Sequence, residues 1–230
     1  LPPLETSYGD YAAWRQQALD GEESARQLAH WKRHLDGALE PLQLPTDRPR
    51  PARASGVGGT DWIHVDATTT AALRTIGAGA DATLFMTLLA AYYVLLHRLG
   101  GQRDLVVGLP FRNRPSEALE KVMGFFVNML PLRRRLDPSM SFLDLLREVR
   151  AGVVEAFEYP EVPFEQLVRE LGVPRDPARS PVYQAVFSFQ DVRERQLHWG
   201  ALRHEHLLMF QKGMANDLGV WFLEHGEGLS

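Results

Sequence analysis

Among the side chains able to do chemistry, Asn128 has the most unusual neighbours. It stands in Phe125-Phe126-Val127-Asn128-Met129-Leu130, an otherwise apolar run. A buried carboxamide left without partners costs about 1–3 kcal/mol. Asn128 therefore either bonds to neighbouring chain or lines a wet channel. Gln190 ends another apolar run, from Tyr183, and is placed to reach a cleft. Arg114, in the turn Arg112-Asn113-Arg114-Pro115, is either a surface arginine or a group projecting into that cleft. His30 and His34 are four residues apart and share a helix face, the spacing of a metal pair. No third ligand stands near them, and they read as solvated helix histidines. His204 and His206 alternate onto one face of an expected strand and also read as solvated. His97 suits the negative end of a helix.

The elements that must position these groups follow from patterning. Residues 7–36 read as two helices divided at Gly21, with Ser7 as cap and Asp10 in the first turn. Four prolines between Pro41 and Pro51 exclude helix and central strand, leaving an extended strap over the surface. Residues 60–66 alternate as a strand. Asp66 or Thr68 caps a helix over 68–77, and Asp81 or Thr83 caps a central apolar helix that ends at Gly100-Gly101. Asp104 to Phe111 reads as a buried strand. So does the run around Asn128, covered on both faces, with Pro131 marking an edge or an end and Arg133 to Arg135 leading to solvent. Ser141 with Asp144 opens an amphipathic helix to about Phe157, and Pro163 fits the start of a short helix, Phe164 to Leu171. Strands are expected at 183–190, 202–210 and 217–225.

Several of these stretches resemble, in order, the conserved motifs of condensation domains from nonribosomal peptide synthetases. Tyr8-Gly-Asp-Tyr-Ala-Ala-Trp resembles the fourth motif, with Tyr8, Asp10, Tyr11, Ala12 and Trp14 in place. Leu42 to Pro51 is similar to a connector of the family. Gly124-Phe125-Phe126-Val127-Asn128 resembles the fifth motif, and Pro163-Phe164-Glu165 the end of the sixth. The start of the sixth departs, with Glu158-Tyr159-Pro160-Glu161 in place of the usual residues. Arg175, Asp176, Arg179 and Pro181 match the seventh, where Ala178 replaces a serine. Arg175 and Arg179 read by default as pins of their loop.

The resemblance implies an α/β fold, an α+β two-layer sandwich of the chloramphenicol acetyltransferase-like kind, with a mixed sheet packed by helices. It implies one C-terminal lobe over residues 1–230, with helices and strap over 1–53 and the α/β lobe over 54–230. The activity implied is amide formation between a donor thioester and an acceptor amine, both on the phosphopantetheine arms of peptidyl carrier proteins, in a cytoplasmic enzyme. The family's His-His-x-x-x-Asp-Gly belongs to an N-terminal lobe and is absent here; His30 to Gly37 has the wrong spacing. No catalytic residue is therefore assigned. Asn128, Gln190 and Arg114 are the expected tunnel-wall residues. The expected partners are the N-terminal lobe and two carrier proteins, with no cofactor held directly and the lobe inactive alone. A module that only binds carrier proteins or a tailoring enzyme is the alternative. A coenzyme A-dependent acyltransferase is a third reading, against which stands the absence of Asp-Phe-Gly-x-Gly.

Composition agrees with a globular chain of 230 residues, 45% hydrophobic and 23% charged. A net charge of −4 argues against a nucleic-acid surface. The chain has no cysteine, which excludes disulfides and thiolate metal sites. No apolar run is long enough for a membrane span, and the N-terminus lacks the pattern of a secretory signal. The opening Leu-Pro-Pro reads as a cut through a linker.

Overall fold

The structure, a computed structural model, describes residues 4–191, 213–225 and 228–229. Its helices begin where short polar side chains take up free N–H groups. Ser7 and Asp10 form a reciprocal capping box at α1 (Tyr8–Ala18), and Gly21 precedes α2 (Glu22–His34). Asp66 caps α3 (Ala67–Ala78) and Thr83 caps α4 (Leu84–Gly100). Gly101, at φ 71°, ends α4 in the left-handed region. Ser141 caps α5 (Phe142–Phe157), while α6 (Phe164–Leu171) follows Pro163 and has no side-chain cap at that residue.

Five strands form one mixed sheet: β1 (Asp104–Phe111), β2 (Asn128–Arg135), β3 (Ala185–Asp191), β4 (Leu218–His225) and β5 (Gly228–Leu229), in the spatial order β2-β1-β3-β4-β5. β1 and β2 are antiparallel, from Asp104 opposite Arg135 to Phe111 opposite Asn128. β1, β3 and β4 are parallel. The carboxyl ends of those three strands therefore share one edge with the start of β2. Pro131 lies on the edge strand, where a missing N–H is tolerated. The main core lies between the sheet and the helices, with Leu89, Tyr93 and Leu96 of α4, Leu146 and Val153 of α5, and Val107, Leu132 and Phe187 of the sheet all fully buried. Among the described residues no helix is long and apolar enough to cross a membrane.

Four expectations are corrected. Residues 60–66 form no strand among the described residues, where Val65 makes an isolated bridge to Leu229. The run 124–127 lies outside the sheet, and β2 starts at Asn128. Phe125 is 77% exposed where cover on both faces was expected. Arg133 does not lead to solvent. It is buried, donating to both Asp104 oxygens (2.8 and 2.7 Å) and to the carbonyls of Asp36 (2.6 Å) and Ala38 (2.9 Å). That pairing holds the Asp104 carboxyl below its usual range, Arg133 being the main cause.

The helix histidines are packed, not solvated. His30 is buried and stacks on Tyr159 at 3.8 Å between ring centroids. His34 Nε2 accepts from the main-chain N–H of Arg133 (3.1 Å), a donor on the edge strand. Burial pushes its imidazole down to about 4. His97 Nδ1 lies 2.8 Å from the carbonyl of Gln102, just past the end of α4. His204, His206 and the strand expected at 202–210 lie outside the described residues.

Candidate functional site

The carboxyl edge of the sheet gathers most of the residues singled out above. Asn128 opens β2 there and is buried. Its Nδ2 donates to the carbonyls of Pro160 (2.8 Å) and Val162 (2.7 Å). Its Oδ1 accepts from the N–H groups of Met129 (3.0 Å) and Phe164 (3.2 Å). A carboxamide has two donor hydrogens and two acceptor lone pairs, so all four positions are filled. Phe164 is the first residue of α6, and Asn128 thus replaces the missing cap of that helix from another strand. Of the two alternatives for Asn128, the structure shows the bonded one. The amide has no capacity left for a substrate, and it fixes the loop 160–164 from behind.

Arg114 is likewise turned inward. Its guanidinium donates to the carbonyls of Leu119 and Val122, the latter at 2.9 Å, and lies 4.0 Å above the Phe126 ring. Phe126 belongs to a second, separate core with Tyr11, Leu119 and Val122. This small core joins α1 to the loop between β1 and β2. Tyr8 reinforces it: its hydroxyl donates to the carbonyl of Phe125 (2.9 Å), and its ring covers Gly124. A Cβ on Gly124 would overlap the Tyr8 ring at Cδ2, so only glycine admits that ring. Asp10 serves through its cap on Ser7, and Trp14 remains partly exposed beside Tyr11 at 5.9 Å. With Gly124 and Phe126 facing inward, Met123 and Phe125 project outward, 91% and 77% exposed.

The remaining motif residues position neighbouring backbone. Pro163 starts α6, Phe164 packs on Tyr183 at 5.0 Å, and Glu165 lies in the first turn, where its charge suits the helix end. Asp176 accepts from the Ala178 N–H (2.8 Å), with Arg179 3.7 Å away, while Arg175 is exposed. Arg50 of the strap donates to the Ala178 carbonyl (3.1 Å) and pairs with Asp217. Gln190 is exposed near the end of β3, opposite Leu223.

A cavity of about 230 Å³ opens at this edge, between the loop that follows β1 and Pro160-Glu161. Phe111, Asn113, Arg114 and Glu161 are among its lining residues. Arg112 and Glu120 pair at its rim. Sequence reasoning placed Arg114 here but missed Asn113 and Glu161. The signal for Asn113 was its place directly after a strand in an Arg-Asn-Arg-Pro turn. For Glu161 it was an acidic residue just before Val-Pro-Phe.

The fold is of the chloramphenicol acetyltransferase-like kind, a mixed sheet packed by helices as in solved condensation domains. The Condensation domain family model matches residues 1–227, and the chain belongs to that family. It is 42% identical over 194 residues to phosphinothricin tripeptide synthetase PhsC of Streptomyces viridochromogenes, covering 84% of this chain and 18% of that protein. The X-domain in complex with OxyB from teicoplanin biosynthesis superposes with a TM-score of 0.86 at 31% identity, covering 97% of this chain and 50% of that one. The condensation domain of the Monacolin K polyketide synthase MokA gives 0.86 at 24% identity, covering 100% and 56%. The chain thus spans about half the length of these single-domain neighbours and a small fraction of the curated synthetase.

Proposed function

We propose that this chain is the C-terminal half of a condensation domain that joins a donor thioester to an acceptor amine, both delivered on phosphopantetheine arms of carrier proteins. The observation that carries the reading is the match to the family over 1–227 at about half the length of a complete neighbour. The outward-facing Met123 and Phe125 support it, because exposed large apolar side chains suit cover by another unit. Attack on a thioester requires the amine to be unprotonated and aligned with the carbonyl carbon. The chain contains no pair of adjacent histidines, so that proton-handling group comes from the other half. This half supplies one wall of the cleft and part of the carrier docking surface. Asn128 and Arg114 shape that wall from behind, and Gln190 stands at its margin.

The test is complementation. The chain alone, given loaded donor and acceptor carrier proteins, should form no amide; adding the N-terminal half in trans should restore product. Turnover by the chain alone refutes the reading. A second reading, a module that only binds, is favoured by the likeness to an X-domain solved with OxyB. Binding of a carrier protein or a tailoring enzyme with no restored product would select it.

A further inference from the structure

A second cavity, of about 530 Å³, lies at the other end of the sheet, where the strap begins at Ala38 and Glu40, α4 turns at Gly101 and β2 ends. Asp104 opens β1, so the length of that strand, about 23 Å, separates this cavity from Phe111 and the cleft described above. Its walls are held by hydrogen bonds. The Gln102 side chain accepts from the Gln43 N–H (2.6 Å) and donates to the Pro41 carbonyl (3.1 Å), and Arg133 donates to the Ala38 carbonyl (2.9 Å). The strap and the turn after α4 are thereby tied to each other and to β2.

The lining carries more cations than it can pair. Asp104, Arg133 and Arg135 alternate onto one face of the sheet. Asp104 receives Arg133 on both oxygens and Arg135 Nε on one of them (3.1 Å). One carboxylate therefore answers two guanidiniums. The Nη groups of Arg135 make no hydrogen bond among the described residues, and neither does the Arg103 side chain. Asp137, whose carboxyl is lowered mainly by the Ser139 N–H, also feels the Arg103 charge. Glu40 is exposed and unpaired among the described residues, and with Asp104 it sets two carboxylates against three guanidiniums in the lining.

A guanidinium fork matches the oxygens of a carboxylate or a phosphate. A carboxylate has two oxygens, which one fork fills. A phosphate has more, and can engage Arg103 and Arg135 together. The volume falls within the roughly 300–1,000 Å³ of small-molecule sites, which leaves room beyond a bare ion. We propose that this cavity binds a phosphate group, free or as the monoester of a small molecule, on the guanidinium of Arg103 and the Nη groups of Arg135. Arg133 is a positioning residue that keeps the strap and Asp104 in place. The site is separate from the reaction cleft and does not rest on the function proposed above; its ligand is an effector that pins the strap to the edge strand, not a reactant.

Proton–nitrogen correlation spectra of the 230-residue chain, at constant ionic strength set with chloride, test this with inorganic phosphate, phenyl phosphate and acetate. Inorganic phosphate should move the signals of Gly101, Arg103 and Arg135 in a saturable way and leave Phe111 and Asn128 in place. Acetate should bind at least about tenfold more weakly. Arg103→Gln and Arg135→Gln should each weaken phosphate about tenfold. Glu40→Gln should tighten it about threefold by removing a like charge. All three side chains are exposed, and if one variant loses its dispersed spectrum the other two decide. Phenyl phosphate binding more tightly than phosphate identifies an organic ester as the ligand, and weaker or equal binding the free ion; both uphold the site. Acetate saturating at the same concentration as phosphate overturns the assignment. So does unchanged affinity in both arginine variants, or no saturation by any probe.

Discussion

Replacing Asn128 separates a structural amide from one presented to substrate. Asn128→Ala leaves the carbonyls of Pro160 and Val162 without a side-chain donor and the N–H of Phe164 without an acceptor. Each buried group left unmade costs about 1–3 kcal/mol, and water entering the vacated space recovers part, so a loss of about 3 kcal/mol is expected. Asn128→Asp has nearly the same shape but places an oxygen where Nδ2 stands, 2.8 and 2.7 Å from two carbonyl oxygens. The fold then favours the neutral acid, raising that carboxyl above its ordinary value of about 3.9. Relative to the parent, the variant should be most stable below about pH 4. It should lose stability as the pH rises, by about 1.4 kcal/mol per unit until the folded-state pKa is passed. At pH 8 it should be less stable than the alanine variant. Urea unfolding followed by Trp31, which is buried and donates its indole N–H to the Tyr159 carbonyl (2.8 Å), reads all three proteins. An Asp variant that tracks the parent at pH 8 would refute the argument, because the two Nδ2 bonds would then carry no weight.

Three further outcomes follow from named contacts. His34 is neutral in the fold with its pKa lowered from 6.5 to about 4, so the unfolded chain takes up the proton first. Its contribution to stability should be intact above pH 6.5 and lost between 6.5 and about 4, by about 3 kcal/mol in all, and His34→Gln should flatten that part of the pH profile. Gly152→Ala would put a Cβ onto the Arg134 guanidinium, and should destabilise by about 1–3 kcal/mol despite the better helix propensity of alanine. Combined with Arg134→Ala, the loss should be clearly less than the sum of the two, as a double-mutant cycle would show. Gly124→Ala should expel the Tyr8 ring and break its bond to Phe125, raising hydrogen exchange at Tyr11 and Val122 while leaving β1 protected. Equal loss of protection in β1 would contradict a separate small core.

The sequence was most legible where cause and effect are local. Thr83, an apolar stripe and Gly100-Gly101 define α4 without any distant partner, and Ser141 with Asp144 does the same for α5. Asn128 stood out because an amide in an apolar run is costly, but its partners lie 32 to 36 residues further along the chain, and no local pattern names them. The same distance effect explains Arg133. Three consecutive arginines read as a solvated exit, yet the antiparallel register brings Asp104 alongside, and only pairing makes a buried guanidinium affordable. His34 misled for a related reason, since an edge strand needing an acceptor is a property of the sheet, not of the helix that supplies one. At 60–66 the alternation was genuine, but among the described residues only the isolated bridge from Val65 to Leu229 is strand-like.

The four-residue cluster of Tyr11, Leu119, Val122 and Phe126 stands apart from the main core. Four side chains of this kind supply about 1.5–3 kcal/mol each when buried, against ordering costs of similar size. Such a unit breathes on its own, well below the free energy that melts the sheet. Mild denaturant should therefore release Phe126, and with it the surface that Met123 and Phe125 present, before the sheet melts.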